Sequence, residues 1–315
     1  MGVSRVAGHP DYTSAGTSKF IPELWSTKIL KKYYMKTVFT QIANTSYEGE
    51  IKDFGDKVYI RTVADVTTFD WSKGMTLPKQ RPESPDVELL IDKAKGWNLL
   101  LDDVDKIQSD IDLLNSWTND AAKQLKIAVD SAGLAYVITD SAISAYNYGA
   151  TAGKISAGYN LGASGSPIQI TKTNVTDYID DCGTVLGEND VPEEGSWLVM
   201  PEWMGGMIRK SDIKDASMTG DSKSVMRTNV IGRLGRFNLM TSNQLPTVAA
   251  VTDASGFKCY YALFGNMDAI TFATQLTKTE SLRSTESFDT IVRGLMVYGY
   301  KVIKGQALGY MYIRK

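Results

Sequence analysis

Residues Lys57–Val66 read KVYIRTVADV and Val87–Ile91 read VELLI; between them, Asp70–Asp86 carries Gly74, Pro78, Pro82 and Pro85. In the return run Val87, Leu89 and Ile91 form one apolar row with Glu88 and Asp92 opposite, the period-two pattern of a strand with one apolar face, interrupted only by Leu90. Two such runs across a proline-rich tip predict a long hairpin. A two-stranded ribbon is at best marginally stable alone in water. A tip of this size without structure of its own is usually functional or disordered. The ribbon therefore needs a surface beneath it, and pattern alone leaves two: its own domain, or a neighbouring copy of the chain.

Directly after the hairpin, Asp102, Asp103 and Asp105 suit a helix N-terminus, where carboxylates complement the macrodipole. Val104, Ile107, Ile111, Leu114, Ala121, Leu125, Ala128, Val129 and Ala132 then recur at spacings of three and four or their sums. Lys106, Asp110, Asn119, Lys123 and Lys126 lie off that stripe. The spacing predicts one amphipathic helix, about 50 Å long if unbroken to Tyr136.

Working outward, 315 residues suffice for one elaborated domain or two around a large core. Hydrophobic residues at 43% and charged residues at 22% are ordinary globular values. A net charge of −2 gives no whole-chain basic field of the kind a nucleic-acid binder presents. Cys182 and Cys259 lack metal-like spacing and read as free buried thiols of a cytosolic protein. No apolar run is long enough to span a bilayer, and MGVSRVAGHPDYTSAG has no apolar centre of a signal peptide. Met1-Gly2 does not continue into a lipidation context. The expectation is a soluble chain that stays where it is made.

Residues 1–20 read as a poorly ordered or partner-ordered arm with the single histidine, His9. Pro22 suits the first position of a helix that Glu23 to Lys36 continues. Ile29, Leu30, Tyr33 and Tyr34 fall on one side of it, with Lys28, Lys31 and Lys32 on the other. Lysines facing water explain that face better than contact with nucleic acid. Residues 147–167, rich in Gly, Ala and Ser, mark the most plausible boundary. Beyond it, Asn174 or Thr176 is placed to cap a helix to about Leu186. Ser196–Met200 (SWLVM) reads as a buried strand, and Pro201 opens a short helix to about Lys210. Ser211–Thr228 is polar. Asn229–Pro246 reads as a strand pair around a glycine turn. Tyr260–Phe264, Ala269–Gln275 and Phe288–Ile303 read as strands, with a polar connection before the last. That last strand is apolar enough to be central, covered on both faces and packed under the long helix.

Catalytic constellations are missing. One histidine cannot furnish a His-based triad or a multi-histidine metal site. Ala163–Ser166 lies in the low-complexity loop, not on a nucleophile elbow. Gly232–Gly235 (GRLG) lacks GK[ST] and a following helix, and a tight turn explains its glycines better than a phosphate. Asp102/Asp103 and Asp180/Asp181 are adjacent, so on a helix they diverge, whereas acid–base pairs must converge. Asn44–Ser46 and Asn174–Thr176 fit the glycosylation pattern, which carries no weight without secretion. The six tryptophans (Trp25, Trp71, Trp97, Trp117, Trp197, Trp203) are scattered, which suits packing better than base stacking.

Trp197–Pro201 (WLVMP) before a short helix, Asn229–Phe237 (NVIGRLGRF) and Thr241–Pro246 (TSNQLP) carry a family resemblance. So do Phe272-Ala273, Leu282-Arg283, Phe288, Arg293-Gly294, Val297–Gly299 and Ala307-Leu308 near the end. With the order of elements, they resemble the major capsid proteins of tailed double-stranded DNA bacteriophages, of the Hong Kong 97-type fold.

The resemblance implies an α+β chain in five parts. Residues 1–55 would be the arm and amphipathic helix, and 56–101 the extended loop. Residues 102–166 would be the spine helix and connecting loop of the peripheral domain, and 167–258 an inserted axial domain. Return strands at 259–315 would complete the peripheral domain. It implies many copies of the chain in pentamers and hexamers, held by heterologous and multivalent contacts. The loop tip would lie on an adjacent subunit through Trp71, Lys73, Met75, Leu77, Lys79 and Arg81. A scaffolding protein separate from this chain, a portal protein, a possible decoration protein and non-specific contact with packaged double-stranded DNA are the implied partners. No catalytic residue, cofactor, metal or membrane is implied. Lys73 and Lys79 lie near the tip, but no partner asparagine is identifiable, so no isopeptide crosslink is expected. The particle would assemble in the host bacterial cytoplasm. An encapsulin-like compartment shares the fold and is the alternative; a soluble enzyme would need convergent titratable groups in a pocket.

Overall fold

The computed structural model describes residues 32–47, 57–64, 66–84, 86–103, 113–163, 165–211, 232–252, 258–285 and 287–315. The first half of the chain supplies β1 (Lys57–Arg61), β2 (Asp86–Leu90), β3 (Lys93–Asp102) and a long helix, Leu113–Thr139. Then come β4 (Ile168–Gln169), the helix Val175–Gly187, β5 (Ser196–Met200) and the helix Glu202–Lys210. The later strands are β6 (Arg233–Leu234), β7 (Phe237–Thr241), β8 (Thr247–Thr252) and β9 (Lys258–Asn266). Last are β10 (Ile270–Arg283), β11 (Asp289–Val302) and β12 (Leu308–Arg314).

Strands β1 and β2 form an antiparallel pair, and β10-β11-β3 an antiparallel three-stranded sheet. A larger sheet runs β4-β12-β9-β5-β7-β6, with β8 also against β9. The apolar run Trp197–Met200 explains the place of β5 between β9 and β7, where every residue of the strand is buried, Ser196 with its hydroxyl donating to the Pro192 carbonyl at 3.2 Å. The stretch 259–315, grouped by sequence into one unit, is divided between the sheets. β10 and β11 pair with β3, whereas β9 and β12 join β5. The two crossings meet at Ala269, whose carbonyl accepts from the Ile303 and Lys304 N–H groups at 2.8 and 3.3 Å. One continuous hydrophobic core runs from Val38 to Ile313 across both.

Several sequence expectations are corrected. Lys93–Asp102, which the resemblance places almost wholly in the extended loop, is a ten-residue strand paired with β11. Lys93 and Lys95 share its half-buried face with Trp97, Leu99 and Leu101, their stems masking the alternation. The polar connection after Gln275 is instead a continuation of β10 paired through Arg283, threonine-rich and therefore suited to a pleated surface. β11 is central, but its outer half is covered on one face only: Val292 and Gly294 are buried, whereas Arg293 and Leu295 are exposed. The loop at 147–167 does not separate two bodies. Ala152 and Leu161 lie in the core, and the Leu161 carbonyl accepts from Tyr312 N–H at 2.8 Å. At Gly162 (φ +80°) a side chain would run into the Tyr312 carbonyl, so this position needs glycine.

The long helix spans about 40 Å at the usual rise. Of the expected stripe, Val129 is buried, and Leu114, Ala121, Leu125, Ala128 and Ala132 are half-buried; Asn119, Lys123 and Lys126 face solvent. Val104, Asp105, Lys106, Ile107, Asp110 and Ile111 lie outside the described residues. So do residues 1–31 with His9, most of Ser211–Thr228, and Asn229–Ile231. Asn174 occupies the N-cap of Val175–Gly187, but its carboxamide turns back to Thr171 N–H (2.7 Å) and the Gln169 carbonyl (2.9 Å). Neither cysteine forms a disulfide and both are buried; burial pushes the Cys182 thiol pKa up.

Lys32–Lys36, expected to end a helix, is not helical; it lies along the long helix. Lys32 pairs with Asp120 at 2.8 Å, and Lys123 Nζ sits 4.4 Å from the Tyr34 ring centre. The chain then enters a single helical turn, Phe39–Ile42. Asp130 Oδ1 accepts the N–H groups of Val38 and Phe39, each at 2.6 Å. Phe39 lies against Gly133, where a Cβ would come within 2.7 Å of the ring, and meets Phe272 and Tyr300 edge-on at 5.7 and 5.9 Å. This turn clips the helix to β10 and β11.

Burial raises the Asp130 pKa, and the two backbone N–H groups only partly offset it. The folded protein thus holds this proton more tightly than the unfolded chain. Its contribution to stability falls as pH rises from the ordinary carboxylate value through the raised one. Asp130→Asn keeps an oxygen acceptor and removes the buried charge. Thermal melts should find the variant at least as stable as the parent at pH 7, with the difference vanishing below pH ~3. A variant clearly weaker at pH 7 contradicts this account.

Candidate subunit interface

The hairpin has a root that its own chain covers and a tip that the other described residues leave exposed. In the root, Ile60 faces Val87 and Val58 faces Leu89 across the ladder. Ile60, Leu89 and Ile91 are buried against Ala273 of β10, with Val297, Ile303 and Tyr47 around them. The absence of a side chain at Gly299 lets the Leu90–Ile91 backbone press onto β11. A Cβ there would overlap the Leu90 carbonyl oxygen and lie 3.0 Å from Ile91 Cα. For the root, then, the surface beneath is the chain itself.

Past Arg61 the ladder stops. Pro78 and Pro82 have no N–H to give it. Side chains hold the two runs together instead. Ser84 Oγ donates to the Thr62 carbonyl, and Gln80 Nε2 donates to the Thr67 carbonyl at 2.7 Å. In return Gln80 Oε1 accepts the Thr67 N–H at 3.1 Å. The chain reverses at Ser72–Met75, with Met75 N–H bonded to the Ser72 carbonyl at 3.1 Å and Gly74 at φ +89°. From Arg61 to this turn the chain reaches up to about 45 Å.

Trp71, Lys73, Met75, Leu77, Lys79 and Arg81 all lie on this reversal and are all exposed, Trp71 by 68% and Leu77 by 58%. Val63 and Val66 are also exposed. So much apolar surface on one narrow ribbon, rimmed by charges, is what interaction sites present. Sequence reading missed a second such surface, the outward face of the three-stranded sheet with Leu100, Leu282 and Leu295, because β3 and the far half of β10 had not been read as strands.

Among the described residues no group of three or more His, Cys, Asp or Glu is placed to hold a metal ion. Gly232–Gly235 leads into the turn between β6 and β7, with Gly235 at φ +54°. Next to it, Arg236 donates to the carbonyls of Gly183 (2.9 Å), Val191 (2.6 Å) and Pro192 (3.0 Å). Its guanidinium thereby ties the end of Val175–Gly187 to the turn that precedes β5.

A family model described as phage capsid protein matches residues 89–310. The chain belongs to the phage capsid protein family. Among solved structures, one from Mycobacterium phage Che8 is 26% identical, with a TM-score of 0.74 over 92% of this chain and 96% of that one. The capsid structure of Cyanophage P-SCSP1u is 14% identical, with a TM-score of 0.71 over 93% of each chain. The capsid of Ralstonia phage GP4 is 14% identical, with a TM-score of 0.64 over 99% and 98%. No curated protein sequence matches. The capsid protein has the Hong Kong 97-type fold and is a structural shell subunit of a phage particle, not an enzyme. The family match gives no support to the cellular-compartment alternative.

Proposed function

We propose that the capsid protein closes its shell by laying each hairpin tip on an adjacent subunit, with Trp71, Lys73, Met75, Leu77, Lys79 and Arg81 in the contact. The exposure of that tip, beside a root already buried, supports this reading. Covering Trp71, Met75 and Leu77 is worth on the order of 5 kcal/mol before the cost of association. One such contact is modest, but a subunit held by several neighbours gains from multivalency. Passing a tip from copy to copy is a heterologous contact and closes into rings, here pentamers and hexamers. A scaffolding protein, a portal and a decoration protein would complete the particle in the host bacterial cytoplasm. Packaged double-stranded DNA would be met by weak, salt-sensitive contact, in keeping with a net charge of −2.

Deleting Asp70–Asp86 is expected to leave a folded subunit, judged by circular dichroism and melting, that no longer forms closed shells by negative-stain microscopy. The parent, alone or with a scaffolding partner, forms rings or shells. Unimpaired shells from the deletion variant would refute the role given to the tip.

A further inference from the structure

Before it enters the turn Phe39–Ile42, the chain runs over the long helix as a strap, residues 32–38. Tyr33 and Met35 point to solvent, 91% and 55% exposed, and Val38 is the one buried side chain in the segment. Short of Val38, the strap meets the body through isolated polar contacts. At its start Lys32 pairs with Asp120 (2.8 Å), and Tyr34 lies beside Lys123. In the middle Gln244 Nε2 donates to the Lys36 carbonyl at 3.0 Å. At its end Asp130 Oδ1 accepts the Val38 and Phe39 N–H groups, while Oδ2 is buried with no partner among the described residues. The Phe39 ring, by contrast, is fully buried among Gly133, Phe272 and Tyr300. Segments with few buried apolar contacts open at a free energy well below that of global unfolding.

We propose that residues 32–38 form a latched strap that leaves the helix as a unit, pivoting on the Phe39 ring, with Asp120 and Asp130 as latches that acidity works in opposite directions. Every residue before Lys32 is joined in sequence to the body through this strap. Asp120 is a charged latch: Lys32 first, then the Tyr34 hydroxyl and the Gln124 carboxamide, hold its carboxyl below the usual range. Opening gives up the strap's share of those partners, so Asp120 binds protons more readily, and acid below the ordinary carboxylate value favours the open strap. Asp130 is a latch of the other kind. Closure buries it, and its unpartnered oxygen makes the ionised form costly, so its pKa stands above the usual range. Opening rehydrates it and releases protons, so the strap loosens as pH rises from the ordinary carboxylate value through the raised one. The charged and titratable groups on the elements around Asp130 are engaged elsewhere. Lys95 of β3 donates to the Ala128 carbonyl at 2.9 Å, and Lys93 sits over the Tyr300 ring at 4.6 Å. Tyr300 of β11 donates to the Ala132 carbonyl at 3.5 Å, β10 brings the Phe272 ring, and Lys126 on the helix and Lys36 on the strap are exposed. The closed strap is therefore firmest near pH ~4 and looser on either side.

Hydrogen exchange of the full-length protein, read by mass spectrometry on peptides spanning 32–39, tests this, with protection factors dividing out the intrinsic pH dependence of exchange. The Val38 and Phe39 amides should exchange faster than those of β5, and their protection relative to β5 should peak near pH ~4. Asp130→Asn keeps an oxygen acceptor and removes the charge, so it should abolish the loss of protection towards pH 7. Asp120→Asn, at a partly exposed position, should lower protection at pH 7 and abolish the loss on the acid side. Strap amides that exchange no faster than those of β5 overturn separate opening. Protection in the parent that does not fall between the peak and neutral pH, or a fall that survives Asp130→Asn, overturns Asp130 as a latch. An acid-side loss that survives Asp120→Asn overturns Asp120 as the other.

Discussion

Replacing Gly299 with valine should detach the hairpin root from the sheet and abolish shell assembly. A Cβ at this position meets backbone atoms of Leu90 and Ile91, which cannot swing aside as a side-chain end can. Overpacking of this kind typically costs about 1–3 kcal/mol. Among the described residues the root's buried cluster is Ile60, Leu89, Ile91 and Ala273, small enough that the cheapest relief is for the hairpin to lift off. The main core, which does not include these residues, should survive. Limited proteolysis is therefore expected to cut within 57–92 far faster than in the parent, while the main melting transition moves little. Parent-like protection together with intact shells would show that the close approach at Gly299 does not govern the root.

Removing the Phe39 ring should have the larger effect on stability. The ring fills the space over Gly133 and touches Phe272 and Tyr300, so its loss leaves a cavity among helix, β10 and β11 at once. Phe→Ala changes in cores cost about 3–5 kcal/mol. In a protein of this size that corresponds to a fall in melting temperature on the order of 10 °C. Tryptic release of the segment before Val38 should accelerate in parallel, because polar contacts such as those of Asp130, Asp120 and Gln244 would then have to hold it without a packed ring. A loss below about 1 kcal/mol would mean that the turn Phe39–Ile42 does not clip the helix to the sheet.

How far the sequence could be read depended on how purely each segment followed one period. Trp197–Met200 is apolar throughout and admits one reading, a central strand; the Val87–Ile91 alternation likewise marks the buried face of the hairpin root. Lys93–Asp102 escaped because lysine stems occupy places on the half-buried face where a strand pattern calls for apolar residues. Residues 276–283 escaped because threonine and serine look like loop in isolation and become strand only when β11 lies alongside. The division of 259–315 between sheets was not legible at all, since it depends on a backbone junction at Ala269 that no side-chain pattern encodes. The tip residues were legible as an anomaly, an unsupported apolar ribbon. The exposed apolar face of the three-stranded sheet was not legible, because β3 and the far half of β10 carry no plain strand pattern.

The change of fastening along the hairpin has a mechanical consequence. Near the root, two strands share a regular ladder and bend as a stiff plank; past Arg61 a glutamine and a serine are the rivets, and the plank becomes a strap. A strap tolerates being laid at several angles without breaking its fastenings. One sequence can thereby suit neighbours inclined differently to it, which any closed surface tiled from more than one kind of ring demands.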